Sequence, residues 1–429
     1  MWYNIDMKKM NTSPISGTLE LLPAEQAVFD NLKAKIAFTF KLNGFLNIET
    51  PILERQEILL AKAGGDTEKQ IYKVFKTAEG AEDASEALRF DHTVPLARYI
   101  VEHESDLVFP LKISQIGENF RGERAQKGRF REFYQCDIDV VNRNSLPIFY
   151  DADVIATLIE TYRDFDLSTP VIARISNRKI LKGLLSGMNL EEKSGDIYSI
   201  IDHAEKVSPE KTDAALIEVG LGDAEKAKIL TFINLAGSIE TVVEGVRSLG
   251  VENDTLEAGL DELKSVAEIL AADGYNDSVS FDMKIVRGLD YYTGTVFEFA
   301  LPEYREVGSI GGGGRYDNLA EYFTEQKFPG VGGSIGLNRL FSVLMEKNLL
   351  KEASGAPVDC AIIPISENEL EFALKVAKDF RAKGDSVTVV MSDKKLGDRL
   401  SYAAKIAKSA VVIGENEVGS GTYEIKKFE

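Results

Sequence analysis

The chain is poor in the residues that build metal centres and covalent staples. Its 429 residues include two cysteines, Cys136 and Cys360, and three histidines, His92, His103 and His203. So few and so scattered, they match no Cys/His zinc spacing and no disulfide framework. No resident metal is therefore expected, and a reducing cytoplasmic location is. No apolar run is long enough to span a bilayer, so no membrane partner is expected. The stretch Met1 to Met10 lacks the apolar core of a secretory signal. It reads as an extension, with Met7 or Met10 as alternative starts. Positive charge is also scarce, with 50 Lys+Arg against 69 Asp+Glu and a net charge of -19. Taken whole, that balance disfavours a nucleic-acid partner, because phosphate binding needs positive charge. Local distribution can override the total. From Ala356 to Glu429 there are 11 basic and 12 acidic residues, whereas the rest of the chain carries 39 against 57. The acidity thus sits in the larger part and the tail is near neutral.

What is present is a globular composition in a chain too long for one ordinary core, so two or three domains are expected. Val28, Leu32, Ile36 and Phe40 repeat at four-residue spacing and predict a helix over Ala24 to Leu42, stopped near Gly44. Phe45 to Leu53 reads as extended, with Pro51 at a sheet edge or interface. Leu111 to Phe120 and Glu132 to Val141 read as strands. Ser186 to about Asp273, rich in Leu, Ala, Glu and Lys, reads as an inserted helical module. Strand character returns from Ser278 to Phe299. Gly311 to Gly314 is a glycine run, and Gly330 to Lys347 reads as a loop followed by a helix. Lys351 to Pro357 reads as a linker. Beyond it strand (Val358 to Ile365), helix (Glu367 to Lys383), strand (Val387 to Met391), helix (Leu396 to Lys408) and strand (Ala410 to Ile413) alternate, which predicts a small α/β domain.

Four segments carry chemistry. Between the two long strands Arg121, Arg124, Lys127, Arg129 and Arg131 accompany one acid, Glu123, within eleven residues. Arginine holds phosphate through paired hydrogen bonds, which lysine does not. Phe133, Gln135, Asp137 and Asp139 share one face of the following strand, since side chains alternate with period two. This pattern reads either as a pocket floor or as a solvated hairpin with an exposed sheet face. In the second segment, Ile285 to Phe299, Arg287 lies between apolar residues before Tyr291 and Tyr292. A buried arginine needs a partner, either an anionic substrate or an internal carboxylate such as Asp290 or Glu298. The third, Gly311 to Asp317, permits close backbone approach to a ligand or forms a flexible loop. It is no phosphate loop, because no Gly-Lys-Ser/Thr follows. In the fourth, small residues from Gly330 lead into an apolar helix bearing Arg339, which alone says only that a helix packs tightly.

In this order the segments resemble class II aminoacyl-tRNA synthetases, and within them the histidyl-tRNA synthetase family. Gly44-Phe-Leu-Asn-Ile-Glu-Thr-Pro51 is similar to the first class motif, Phe120-Arg-Gly-Glu123 through Arg131-Glu-Phe133 to the second, and Gly330 to Arg339 to the third. Arg287-Gly-Leu-Asp-Tyr-Tyr292 and Gly313-Gly-Arg-Tyr316 resemble the two histidine-specific signatures. The resemblance covers nearly the whole chain and implies an α+β multidomain fold. Residues 1–350 would form a catalytic domain, an antiparallel sheet flanked by helices with the insertion at about 186–273. A linker at 351–357 would lead to an anticodon-binding-like α/β domain at 358–429. The implied activity is ATP-dependent formation of histidyl-adenylate and transfer to tRNA(His), releasing pyrophosphate and AMP. Mg2+ would accompany ATP, and the enzyme would be a homodimer with Pro51 in its interface.

The resemblance also implies residue roles. Arg121 and Arg287 would stabilise charge growing at the α-phosphate, the second in a place that other class II enzymes give to a metal ion. Phe133 and Arg339 would sandwich adenine, Arg339 also reaching the γ-phosphate, and Glu123 would accept from the adenine amine. Asp91, Thr93 and Gln135 would bind the substrate ammonium. Asp139 would accept one imidazole N–H while the Tyr292 hydroxyl meets the other nitrogen. Arg287, Tyr291 and Tyr316 would complete the histidine site. A site built on such bonds rejects analogues lacking them by roughly 10⁴–10⁵-fold, so no editing domain is expected. Gln126, Lys127 and Arg129 would meet the tRNA acceptor end, and Lys394, Lys395 and Arg399 belong to the implied anticodon reader.

Three departures stand out. Asn338 occupies a place where the third class motif usually has glutamate before its arginine. His92 interrupts the amino-acid signature and is expected to pack beside the pocket. The family's last domain usually continues into a further helix, which implies a tail at Glu429 that is either naturally short or truncated. The rival readings are a non-catalytic, histidine-sensing regulatory subunit of ATP phosphoribosyltransferase, another class II synthetase, and a tRNA-binding sensor. The tail from Val358 and the set Arg121, Arg287 and Arg339 argue against the first, the same three arginines against the third, and Arg287 through Tyr292 against the second.

Overall fold

A computed structural model describes residues 11–61, 68–76, 85–124, 128–286, 292–350 and 356–428. The chain divides into two units, Met1–Leu19 with Lys35–Lys351 and Glu20–Ala34 with Glu352–Glu429. Helix α1, Pro23–Leu42, takes part in both. Proline in its first turn lacks only an N–H that would have no helical partner. Val28, Leu32, Ile36 and Phe40 are buried along one stripe, as the spacing predicts. The helix stops because Gly44 adopts φ +81. The Gly44 N–H then donates to Lys41 O at 3.1 Å and Phe45 N–H to Phe40 O at 3.0 Å, while the Phe40 and Phe45 rings pack at 6.5 Å. That set of bonds satisfies the last carbonyls and turns the chain back onto its own helix.

The first unit continues with strands β1 (Leu46–Asn47), β2 (Leu53–Arg55), β3 (Lys73–Val74) and β4 (Glu86–Leu88), and helices α2 (Gln56–Leu60) and α3 (Thr93–Glu102). Strands β5 (Leu111–Phe120) and β6 (Glu132–Val141) follow, with the limits expected from sequence. Next come α4 (Phe149–Arg163), β7 (Ile172–Asn177), α5 (Arg178–Gly187), α6 (Ser194–His203), α7 (Pro209–Glu218) and α8 (Asp223–Ile233). They are followed by β8 (Ala236–Gly237), α9 (Ile239–Ser248), α10 (Asp254–Ala272), β9 (Val279–Asp282), β10 (Thr295–Ala300), β11 (Gly311–Tyr316), β12 (Gly330–Gly336) and α11 (Leu337–Glu346). Among the described residues nine strands form the main sheet, in the order β1-β5-β6-β12-β11-β10-β7-β9-β8. Only β1/β5 and β7/β9 are parallel pairs. The helical stretch begins at Arg178, earlier than expected, and is not purely helical, since β8 pairs with β9 at the sheet edge.

The glycine-rich segments depart most from the sequence reading. Gly311 to Gly314 is not a flexible loop, and the residues from Gly330 are not a loop before a helix. They are β11 and β12, paired antiparallel in the middle of the sheet. Glycine weakens a strand in isolation, but here both backbones are bonded on either side and the missing side chains make room. A Cβ on Gly332 would come within 2.0 Å of the Asp139 carboxylate, and one on Gly330 within 2.4 Å of the Tyr316 ring.

A buried ion pair locks β11 to α4. Arg315 donates from Nη2 to Asp151 Oδ1 at 2.7 Å and from Nε to the same carboxylate at 3.0 and 3.1 Å. Its remaining donors reach the carbonyls of Leu146 at 3.1 Å and Pro147 at 3.2 Å. Asp151 lies in the first turn of α4, where the helix dipole favours negative charge.

The second unit is a sheet in the order β14-β13-β15-β16, where β13 is Val358–Pro364, β14 Val387–Val389, β15 Ala407–Ile413 and β16 Lys426–Lys427. The first three run parallel and β16 is antiparallel. Helix α12 (Leu370–Ala382) covers the face bearing Cys360 and Ile362, and α13 (Leu396–Ile406) the face bearing Ala361 and Ile363. A short helix, α14 (Glu415–Ser420), precedes β16. Most of the expected linker, 351–355, lies outside the described residues. Arg399, expected at an anticodon-reading surface, is buried and donates to the carbonyls of Pro364 and Ile365 at 2.6 and 2.9 Å. It holds the end of β13 in place.

Arg315→Met leaves the Asp151 charge buried without its cation, a change that costs about 3–5 kcal/mol. The urea unfolding midpoint of the variant is expected to fall accordingly. Replacing Asp151 by leucine in the same chain is expected to recover part of that loss.

Candidate functional site

Two adjoining cavities on the first unit are lined by the residues singled out above. The smaller, about 60 Å³, is lined by Asp91, Thr93, Arg121, Gln135, Asp137, Asp139, Tyr292, Gly312, Tyr316 and the β12 residues Gly332 to Ser334. The larger, about 380 Å³, is lined by Gln70, Arg121, Glu123, Gly128 to Phe130, Phe133 to Gln135, Gly336, Asn338 and Arg339. Arg121 and Gln135 belong to both walls, so the two cavities meet there.

The long strand β6 organises both. Its alternation aims Phe133 and Gln135 at the larger cavity and Gln135, Asp137 and Asp139 at the smaller. Gln135 is oriented on both sides, donating to Ser334 Oγ at 2.9 Å and accepting from Asn119 Nδ2 at 2.8 Å. Asp139 accepts from the Tyr316 hydroxyl at 2.8 Å. Burial pushes the Asp139 carboxyl up to about 7; the neighbouring Asp137 adds to the shift and the Tyr316 bond opposes it. Asp91, at the entry to α3, accepts from Val94 N–H at 3.1 Å. Burial raises it to about 6, against the opposing effects of that N–H and of Arg121.

Arg121 is held by its Nε bond to Phe90 O at 3.0 Å and lies 5.1 Å from the Phe133 ring centre. Arg129 and Arg131 of the basic loop are also engaged. Arg129 pairs with Glu123 at 3.1 Å, and Arg131 donates to Glu123 O at 3.0 Å and to Ser16 O at 3.2 Å. Arg129, expected at a tRNA surface, therefore also stands on the wall of the larger cavity. On the wall of the same cavity, Arg339 in the first turn of α11 donates to Val307 O. Asn338 accepts from Tyr134 N–H at 2.7 Å, which ties α11 to β6. That bond explains how an amide serves where a carboxylate was expected.

Asp91, Thr93, Arg121, Gln135, Asp139, Tyr292 and Tyr316 thus come together in the smaller cavity, and Arg121, Glu123, Phe133 and Arg339 in the larger. Arg287, Tyr291, Gln126 and Lys127 lie outside the described residues. Pro51 is exposed next to Ile52 and Leu53 and is not part of either cavity. Sequence reasoning missed Gln70, whose carbonyl accepts from Gly122 N–H at 2.7 Å. It lies fifty residues before the basic loop in a stretch without a motif. It also gave no role to Asp137, although the period-two face already contained it, and none to Ser334, hidden in a segment read as loop.

A model of the histidyl-tRNA synthetase family matches residues 17–340, and one of an anticodon binding domain matches residues 359–429. Histidine–tRNA ligase of Clostridium tetani is 42% identical over 428 residues, covering 99% of this chain and 96% of that protein. The enzyme of Clostridium acetobutylicum is 41% identical, with coverage of 97% and 96%. The crystal structure of histidyl-tRNA synthetase from Nostoc sp. PCC 7120 aligns with a TM-score of 0.87 at 34% identity, covering 98% of this chain and 95% of that one. A structure from Bacillus halodurans C described as an ATP phosphoribosyltransferase regulatory subunit/histidyl-tRNA synthetase shares the fold, with a TM-score of 0.76 at 22% identity.

The raised Asp139 predicts a pH effect on the ligand-free protein. Its folded value of about 7 lies above the ordinary 3.8, so the folded state binds the proton more tightly than the unfolded one. Its contribution is therefore favourable at low pH and is lost as pH rises through 7. Asp139→Asn removes that dependence. The stability difference between variant and wild type is expected to move in the variant's favour by about 2–3 kcal/mol from pH 5 to pH 8. Unfolding curves at the two pH values measure it.

Proposed function

The chain belongs to the histidyl-tRNA synthetase family, and from that premise we propose how its two adjoining cavities divide the family's reaction between them. The chain is a class II, ATP-dependent histidine–tRNA ligase. It joins histidine to tRNA(His). The observation that carries the division of labour is the shared wall at Arg121 and Gln135.

Histidine occupies the smaller cavity and ATP the larger, with the amino-acid carboxylate and the α-phosphate meeting beside Arg121. A carboxylate oxygen attacks the α-phosphorus, the bond to the pyrophosphate oxygen breaks, and histidyl-adenylate remains. Charge grows on the phosphoryl oxygens, and a cation already fixed by Phe90 O stabilises it without reorganising. Arg287 is assigned the opposite side on the resemblance alone. Adenine lies between Phe133 and Arg339, and Glu123, oriented by Arg129, accepts from its amine. In the smaller cavity Asp91, Thr93 and Gln135 receive the ammonium. Asp139, backed by Tyr316, accepts a ring N–H, and Tyr292 meets the other nitrogen, with Tyr291 completing the site. A terminal ribose hydroxyl of tRNA then attacks the adenylate carbonyl and AMP leaves. Gln126 and Lys127 are assigned to that acceptor end on the resemblance alone, and Arg129 with them; the 48% exposure of the Arg129 side chain supports its part of the reading.

Mg2+ arrives as the counter-ion of ATP. No group of three or more His, Cys, Asp or Glu side chains able to hold a metal is found among the described residues, and Glu123 is the one carboxylate of the larger cavity. Phosphate oxygens and water would therefore be its main ligands. A homodimer through the Gly44–Pro51 segment is supported by the exposed Phe38, Leu42, Leu46 and Leu53 around it. No helix among the described residues is long and apolar enough to cross a membrane, and a cytoplasmic location accords with that.

Purified protein without tRNA is expected to catalyse ATP–pyrophosphate exchange with histidine and not with glycine, threonine or proline. Asp139→Ala should raise the KM for histidine by ~100-fold or more while the KM for ATP stays unchanged. Tight histidine binding with no exchange would support the regulatory-subunit reading instead. Near wild-type exchange by the variant would remove Asp139 from the ring site.

A further inference from the structure

The smaller cavity contains a third carboxylate that the roles above leave unused. Asp137 is buried, and its Oδ2 lies 3.0 Å from His92 Nδ1. Its Oδ1 is buried with no hydrogen-bond partner. A carboxylate with one oxygen wholly unmet is costly in a dry wall unless a ligand completes it. The His92 ring is itself 1% exposed, and its Nε2 also lacks a partner. Because a carboxylate oxygen only accepts, Nδ1 is the ring nitrogen that carries the proton and donates. Gly117 permits this arrangement, since a Cβ there would come within 2.5 Å of Arg89 Nη2 and 3.5 Å of His92 Nε2.

Strand geometry says which end of the substrate Oδ1 meets. On β6 the cavity face runs Gln135, Asp137, Asp139, about 13 Å of strand from first to last. Gln135 adjoins the junction where the substrate carboxylate must lie, and Asp139 is at the ring end. The middle of the substrate, where its Cα carries the ammonium, falls opposite Asp137. We infer that Asp137 Oδ1 binds the substrate's α-ammonium directly, and that His92 is a positioning residue that fixes the carboxylate through Oδ2. This rests on the smaller cavity being the histidine site. The pair adds a requirement for a positively charged amine to a pocket that otherwise selects through the ring.

The test separates the amine from the rest of the substrate. Calorimetry on the full-length, ligand-free protein would compare three ligands. Histidine has ammonium, carboxylate and ring; histidinol lacks the carboxylate; imidazole-4-propionate lacks the amine. In D137N the His92 donor holds the amide oxygen and turns the NH2 toward the cavity, so an acceptor becomes a donor. Histidine and histidinol should then bind ~10- to 100-fold more weakly, the range for a hydrogen bond to a charged group, while imidazole-4-propionate and ATP keep their wild-type affinities. H92L should show the same selective loss, and H92N, which restores a donor near Nδ1, should recover most of it. An equal loss for all three ligands with ATP binding intact, or no loss, overturns the direct role of Asp137. Wild-type affinities in H92L overturn the positioning role. If D137N loses ATP binding as well, it has not folded, and the contrast between H92L and H92N decides. Failure of the wild-type protein to bind histidine at all would instead overturn the assignment of the cavity.

Discussion

Three aspartates share the wall of a cavity of about 60 Å³, and the cost of keeping their charges out of water governs what that cavity accepts. Burial is the leading cause of the raised Asp91 and Asp139 values; Asp137 adds to both, and Asp91 adds to Asp139. Such a site is most stable when a ligand brings compensating positive charge and N–H donors. Histidine carries a fixed cation at one end and a ring that donates at the other. An amino acid with an apolar side chain would leave Asp139 desolvated with only the Tyr316 hydroxyl to meet it, which is why recognition through such bonds discriminates so steeply. The scaffold serves this arrangement. Gly332 lets the Asp139 carboxyl lie against the β12 backbone, and Gly330 gives the Tyr316 ring its place.

The same logic of engaged charge explains how a chain of net charge -19 handles a polyanionic nucleotide. Three arginines of the basic loop are fixed by bonds of their own. Arg121 is pinned to Phe90 O, Arg129 to Glu123, and Arg131 to two backbone carbonyls. Cations held in this way have little freedom left to lose when a phosphate arrives, so their number matters less than their aim. A total charge reports on long-range steering and says little about such a junction.

Much of this was legible in the sequence because period and chemistry agreed. The four-residue repeat of α1 and the alternation of β5 and β6 gave their limits directly, and the face Phe133, Gln135, Asp137, Asp139 is the one that lines both cavities. The glycine strands were illegible for a physical reason. Strand signals come from side chains that alternate, and β11 and β12 owe their place to side chains they lack, the room beside β12 being filled by Asp139 from β6 and Tyr316 from β11. Gln70 and Ser334 act through tertiary proximity that no spacing encodes. Asn338 departs from the glutamate usual at its place in the motif, yet its amide oxygen makes a bond to Tyr134 N–H that only an acceptor at that place can make. Arg399 looked like an exposed reader because a helix pattern does not reveal that two strand-end carbonyls need a donor.

The signature Gly313-Gly-Arg-Tyr316 shows how recognition and stability come to share a few residues. Side chains on β11 alternate, so Arg315 and Tyr316 cannot both face the cavity. Tyr316 points to Asp139 and shapes the ring end of the pocket, while Arg315 points the other way to Asp151 and the start of α4. The two bonds act on adjacent residues of one strand, and that strand pairs with β12, whose Gly332 borders Asp139. A shift of β11 toward or away from α4 would therefore move the Tyr316 hydroxyl relative to the carboxylate it serves. The buried Arg315–Asp151 pair adds less to net stability than its geometry suggests, since desolvation offsets much of the attraction. Its larger effect is to fix one position for the strand, and with it the place where the histidine ring is read.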